Sequence, residues 1–318
     1  MLFALLKIPA RIAIRLYCRN IQINHKELLS IEGPVMIAAN HPNSFLDAII
    51  INTIFKRPVY SLARGDAFAN KFYTKVLRSL KMLPVYRISE GAENLEHNYK
   101  TFDACKDIFK KNGIVLIFSE GRCVNEWHLR PLKKGTARLA FSSWENNIPL
   151  KILPLGINYN SFHRFGKNVK LNFGKIIKQK DYGEITSSFG KNIAAFNADL
   201  EKQLQQLVIE LDKKDKVLID HTFSVPVSAT KKIWLSIPAV LGYILHWPLY
   251  IPVEKIAAKT TKHNGHYDSV VVSLLFVLYP VYLLLISFII YQFTCGYWWL
   301  TTFLLLPFFA WSYVQLKK

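Results

Sequence analysis

The chain has 318 residues, with 41 Lys and Arg against 22 Asp and Glu, a formal net charge of +19 and a hydrophobic content of 51%. That length suits one good-sized domain with additions. So basic and so apolar a chain points to an anionic membrane surface or a small anionic substrate, and without an aromatic-basic stripe or a known module it does not read as a nucleic-acid binder.

The first twenty residues, beginning MLFALLKIPARIAIRLYCR, have no small-residue cleavage site, and their charges run through the apolar stretch, so they are not a secretory signal. Lys7, Arg11, Arg15 and Arg19 recur every four residues and make one basic stripe on a helix. Residues 1–20 are expected to be an amphipathic helix in a membrane interface, with the stripe reaching lipid phosphates. The competing reading packs the same helix on the protein's own core.

From 21 to 212 the pattern alternates. Short apolar runs at 33–40, 58–63, 83–87, 113–120 and 151–159 read as buried strands, and 168–175 as an edge strand. Helical stretches fall near 45–56, 66–81, 92–111, 133–146 and 190–212. The fold class is therefore α/β, a mixed sheet flanked by helices.

Residues 213–232 read as a linker. The apolar segment 233–253 carries Pro238, Pro248 and Pro252, while 269–293 and 296–314 are each long enough to span a bilayer and together read as a transmembrane hairpin. The loop 254–268 and the terminal Lys317 and Lys318 are basic, which favours the cytoplasmic side. With the catalytic domain on that side too, 233–253 cannot cross once. It is expected to be re-entrant or interfacial, broken near Pro248. Cys18, Cys105, Cys123 and Cys295 form no Cys-x-x-Cys pair, which argues against a disulfide framework or a zinc site and fits a reducing compartment.

The chemistry concentrates at strand ends. Asn40-His41-Pro42-Asn43-Ser44-Phe45-Leu46-Asp47 follows a strand, so His41 stands where open α/β sheets bind ligands, and Pro42 suits the first position of a helix. Asp47 lies in that helix's first turns, within reach of an imidazole that folds back, and a carboxylate there fixes its tautomer and raises its basicity. No Gly-x-Ser-x-Gly surrounds Ser44; Asn43 and Ser44 read as helix-start residues. Arg87 ends another strand. Glu120, Gly121 and Arg122 end a third, followed by Lys133, Lys134 and Gly135 at a helix start. Arginines and a helix N-terminus together suit a phosphate. Pro154 reads as a break within its strand. His128 and His163 read as loop residues, and the histidines of His263-Asn264-Gly265-His266 are not taken as a metal site.

Asn-His-Pro…Asp, Pro-x-x-Arg, Phe-Ser-Glu-Gly-Arg and Leu-Pro-Leu-Gly, in this order between about 20 and 210, resemble the glycerolipid acyltransferase family of glycerol-3-phosphate and lysophosphatidic acid acyltransferases. The C-terminal region is similar to the tail of some bacterial and fungal members. The resemblance implies that His41 is the general base and Asp47 orients it, with no acyl-enzyme. It implies that Arg87, Glu120, Gly121 and Arg122 bind the acceptor, with Arg122 or the downstream Arg130 and Lys133 on its phosphate, and that Pro154 shapes the acyl-donor side. Two departures stand out. The family's usual His-x4-Asp is His-x5-Asp here, and its Pro-Glu-Gly-Thr-Arg is Ser119-Glu120-Gly121-Arg122-Cys123.

The expected function is membrane-bound O-acyl transfer to a glycerol phosphate or lysophospholipid in phospholipid synthesis. The co-substrate is acyl-CoA or acyl carrier protein, with no cofactor and no metal. The expected partners are a phospholipid bilayer, the acyl donor and a phosphorylated glycerol or lysolipid acceptor. Acylation of another lysolipid such as a lyso amino-acid lipid, thioester hydrolysis and non-catalytic membrane binding are the alternatives.

Overall fold

A computed structural model describes residues 2–86, 94–182, 189–294 and 296–317. Helix α1 (Leu2–Tyr17) leads into β1 (Cys18–Ile23), and β2 (Val35–Ala39) into α2 (Ser44–Ile54). Strand β3 (Val59–Arg64), α3 (Lys71–Ser79), β4 (Met82–Val85), α4 (Asn94–Lys110) and β5 (Ile114–Phe118) follow. Then come α5 (Gly135–Glu145), β6 (Lys151–Tyr159), β7 (Lys167–Phe173) and α6 (Phe189–Leu207). The seven strands form one mixed sheet in the order β1-β7-β6-β2-β5-β3-β4, parallel except where β6 meets β7.

Strand β2 shows why both faces of the sheet are covered. All five of its residues are buried; Val35, Ile37 and Ala39 pack with α1 and α2, while Met36 and Ala38 pack with α4, α5 and α6. The chain leaves β2 through α2 on one face, and leaves β5 through α5 on the other. Adjacent strands whose connections depart to opposite faces create a crevice at their carboxyl ends, and β2 and β5 are such a pair.

Several sequence expectations need correction. Strand β7 is interior: β1, which lies partly in the stretch read as an interfacial helix, pairs parallel with it and takes the edge. Residues 213–232 are more than a linker, since α7 (Lys216–Thr222) buries Ile219 and the residue after it, Phe223, is buried as well. Pro154 does not break β6. Its carbonyl accepts from Gly174 N at 2.9 Å, so its N side faces past the end of β7, whose ladder begins only at Leu155, and the missing N–H costs no ladder bond.

The basic stripe of α1 also has another use. Lys7 Nζ donates to the carbonyls of Phe55 and Lys56 at 2.8 and 3.0 Å, and Arg11 Nε to Thr53 O at 2.9 Å. These lie at the C-terminal end of α2, where carbonyls lack helical partners and the helix dipole favours cations. Lys7 and Arg11 thus face protein, not lipid phosphate, while Leu5, Ile8 and Ile12 are exposed.

Beyond the domain lie α8 (Ala229–Thr260), α9 (Tyr267–Phe293) and α10 (Thr302–Leu316). The segments Ala229–Thr260, Tyr267–Phe293 and Trp298–Leu316 are each long and apolar enough to cross a membrane. Helix α8 is continuous through Pro238, Pro248 and Pro252, against the expected break. Carbonyls on the approach to Pro248 find side-chain partners: Gly242 O meets His246 Nδ1 at 2.8 Å and Leu245 O accepts from Tyr282. A Cβ on Gly242 would lie 2.1 Å from Phe309 O, so glycine is what lets α8 and α10 approach. Both ends of α8 are tied to the α/β domain. Lys231 Nζ donates to Gln315, whose Nε2 donates to Arg19 O, and Val253 and Ala257 join the core.

Candidate active site

The site forms at the β2–β5 crevice. Ala39 and Phe118 are register partners, and Ser119 N extends the ladder by donating to Ala39 O at 2.8 Å. His41 and Glu120, each two residues beyond its strand, therefore meet: His41 N donates to Glu120 Oε2 at 2.8 Å. Glu120 Oε1 accepts from Arg130 N at 2.9 Å, so both carboxylate oxygens brace backbone. Burial, the largest influence, raises the Glu120 carboxyl above its ordinary range, and the two N–H bonds oppose it. Asn40 fixes the other flank, exchanging side-chain bonds of 3.0 and 2.7 Å with the backbone of Ile157 in β6.

The chain then enters α2. The extra residue between His41 and Asp47 is absorbed by Ser44, which sits in the left-handed region at φ 52°. Helix α2 starts at Ser44, so Pro42 precedes the cap instead of opening the helix, and Asn43 at the cap position makes no side-chain capping bond. Capping runs in reverse: Asp47 Oδ2 accepts from Asn43 N at 2.9 Å. The same oxygen lies 2.9 Å from His41 Nδ1, and Oδ1 accepts from the Tyr159 hydroxyl at 2.7 Å. Asp47 is fully buried. Tyr159 is a phenol held well above its ordinary range by burial, then by the Asp47 charge, so it remains a donor.

Two donors already surround Asp47, and an ionised carboxylate only accepts. The network therefore places the neutral ring's proton on Nδ1 of His41 and makes Nε2 its accepting nitrogen. Stacking fixes the ring plane: the His41 and Phe118 rings lie 3.7 Å apart at 11°. The His41 side chain retains 18% exposure, and Nε2 has no hydrogen-bond partner among the described residues. A buried acceptor, a fixed tautomer and one open ring nitrogen are the features that general-base chemistry requires.

The loop after β5 forms the rim. Gly121 adopts φ +70°, a turn that exposes it together with Arg122, and Lys133 is exposed beside them with its Cγ 3.0 Å from a Cβ built on Gly121. Arg130 instead pairs with Glu126, which also holds His128 Nε2 at 2.8 Å. Pro154 is buried opposite Ala38, inside the sheet. Arg87 lies outside the described residues. Cys123 Sγ accepts from Ser44 N at 2.9 Å, and burial first, with Asp47 nearby, pushes its thiol up to about 12. Such a thiol is a structural acceptor and not a nucleophile.

Tyr159, Phe118, Cys123 and Asn40 were not read from sequence as site residues. Tyr159 left the clearest signal, a hydroxyl-bearing side chain on the β6 face otherwise filled by Leu155 and Ile157.

Residues 20–158 match the family model described as Acyltransferase. The chain is similar to the 1-acyl-sn-glycerol-3-phosphate acyltransferase of Bacillus subtilis (strain 168), 24% identical over 194 residues that cover 61% of this chain and 90% of that one. Among solved structures it is similar to the 1-acyl-sn-glycerophosphate (LPA) acyltransferase PlsC from Thermotoga maritima, at 13% identity and a TM-score of 0.42, covering 70% of this chain and 81% of that one. The stretch that matches the Acyltransferase model holds His41, Asp47, Glu120 and the four ordered motifs, and it is this part of the chain that is similar to glycerolipid acyltransferases.

Proposed function

We propose that the protein is a membrane-anchored O-acyltransferase that moves a fatty acyl group from a thioester to a hydroxyl of a glycerol phosphate or a lysophospholipid. The observation that carries this reading is His41, with Nδ1 on the buried Asp47 carboxylate and Nε2 open. The acceptor hydroxyl gives its proton to Nε2 as its oxygen attacks the thioester carbonyl. Collapse of the tetrahedral intermediate breaks the C–S bond, and the leaving thiolate takes the proton back from the imidazolium. The products are an ester and a free thiol, and no enzyme nucleophile is needed. The raised thiol of Cys123 agrees with direct transfer.

Exposed Arg122 and Lys133, on the rim of the same loop, supply charge for the acceptor's phosphate. Coenzyme A or acyl carrier protein carries the thioester. Both ends of α8 return to the domain, which supports an interfacial helix, while α9 and α10 form the hairpin that enters the bilayer. The basic residues between 254 and 268 favour a domain on the cytoplasmic face.

The test supplies purified protein in detergent with acyl-CoA or acyl carrier protein thioester, and with glycerol-3-phosphate, lysophosphatidic acid or an unphosphorylated lysolipid. An acylated product from a phosphate-bearing acceptor supports the reading. Thioester consumption that yields only free fatty acid refutes it in favour of hydrolysis.

A further inference from the structure

The turn that opens α9 reaches the catalytic motif at three consecutive residues. Asn125 Nδ2 donates to Pro42 O at 2.7 Å and to Gly265 O at 3.4 Å, bridging motif and turn. Asn43 Nδ2 donates to Asp268 Oδ2 at 2.7 Å. Ser44 Oγ lies 2.6 Å from His266 Nδ1.

Asp268 is an unusual residue to find at the head of an apolar helix. It is fully buried, and its carboxylate also accepts from the Tyr17 hydroxyl and from Lys167 Nζ, itself fully buried. Lys167 Nζ donates further to Ser161 O at 3.0 Å, and lies 5.5 Å from the ring centroid of Tyr159, whose hydroxyl holds Asp47. Anchoring alone would need a neutral contact; an isolated buried ion pair is weak evidence for stability, because desolvation offsets most of the attraction. What the pair does hold is Asn43. The Asn43 side chain is fully buried and its Oδ1 meets no donor among the described residues, so Asp268 alone orients it. The Asn43 backbone N–H in turn holds the Asp47 oxygen that faces His41.

We propose that this turn is a positioning element of the catalytic centre, with Asp268 holding Asn43, and His266 holding the left-handed Ser44, so that Asp47 presents His41 as a base. The C-terminal apolar segment is then part of the catalytic apparatus as well as an anchor. Its role as a positioning element for transfer rests on the acyltransferase reading.

Three variants of the full chain test it. Asn43→Ala cuts the link but leaves the bonds among Asp268, Lys167 and Tyr17 intact. Lys167→Met with Asp268→Leu replaces the buried pair by apolar groups, an exchange that folds tolerate. His266→Ala removes an exposed partner. The first two are expected to lower kcat about tenfold or more with KM for acceptor and donor unchanged, and His266→Ala by less. Combining Asn43→Ala with the Lys167/Asp268 pair should add no further loss, because they act through one contact. Wild-type kcat in a folded Lys167→Met/Asp268→Leu protein, or fully additive losses, overturns the proposal.

A second readout needs no turnover. The His41 Nδ1 proton, hydrogen-bonded to a carboxylate, gives a downfield NMR resonance that His41→Gln removes and so assigns. It is expected in the wild type and absent from Asn43→Ala; its persistence in both overturns the proposal. If wild-type protein transfers no acyl group, the acyltransferase reading fails and this resonance decides the positioning by itself.

Discussion

Replacing Asp47 by asparagine tests the base at its support. The carboxylate accepts three bonds, two on Oδ2 from His41 and Asn43 and one on Oδ1 from Tyr159. An asparagine amide offers one accepting oxygen and one donating nitrogen. The less costly orientation keeps oxygen toward His41 and Asn43 and turns NH2 toward Tyr159, whose hydroxyl rotates to accept. The His41 tautomer survives; the charge opposite the forming imidazolium does not. A hydrogen bond to a charged partner is worth about 1.5–3 kcal/mol, so kcat is expected to fall by about 10–150-fold with KM unchanged. Asp47→Ala orphans all three donors and is expected to approach the loss of about 10²–10⁴ that removing a base causes. Steady-state kinetics on the two variants, with thermal unfolding as a control, measure both effects. An Asp47→Asn enzyme within about threefold of wild type, against the tenfold expected for each 1.36 kcal/mol, would refute the reasoning.

Other consequences are open to simple measurement. Glu120→Ala removes the acceptor from both N–H groups of His41 and Arg130, so it is expected to lose about 1–3 kcal/mol in chemical denaturation. Because burial raises the folded Glu120 carboxyl, its contribution to stability is greatest below the unfolded value and declines as pH rises through the folded one. The wild-type advantage over Glu120→Ala should therefore shrink from the ordinary glutamate range upward; growth over that range contradicts the assignment. Lys7→Ala and Arg11→Ala are each expected to cost about 0.3–1 kcal/mol by uncapping α2, read as a lowered Tm, while a wholly lipid-facing stripe predicts no change. Gly121→Ala places a Cβ at φ +70° and is expected to cost about 1–2 kcal/mol or to displace the Arg122 rim, raising KM for the acceptor.

The α/β domain was legible because each buried strand, such as Val35–Ala39 or Ile114–Phe118, is a short apolar run bounded by turn residues. Strand β1 was hidden by its neighbour: Arg19 continues the four-residue spacing of the helix although Cys18–Ile23 is extended. Lys7 and Arg11 illustrate a general ambiguity. A basic stripe reads the same whether it meets lipid phosphates or the carbonyls ending another helix, and only tertiary contact separates the two. His41 and Asp47 were legible because both ends of the pair lie in one motif. Tyr159 and Asp268 were not, since their partners are 112 and 225 residues away along the chain. The turn at 263–268 looked like a connecting loop, and its contacts with Asn43 and Ser44 arise from the return of α8 and α9 to the domain.

The most direct measurement is the transfer rate of His41→Gln beside wild type, with an acyl thioester and lysophosphatidic acid or glycerol-3-phosphate, the acylated product being detected by mass spectrometry. Acylated product from the wild type and a loss of about 10²–10⁴ in the variant are expected of a general base. Equal rates in a folded variant would contradict the assignment of His41 at the centre of the site.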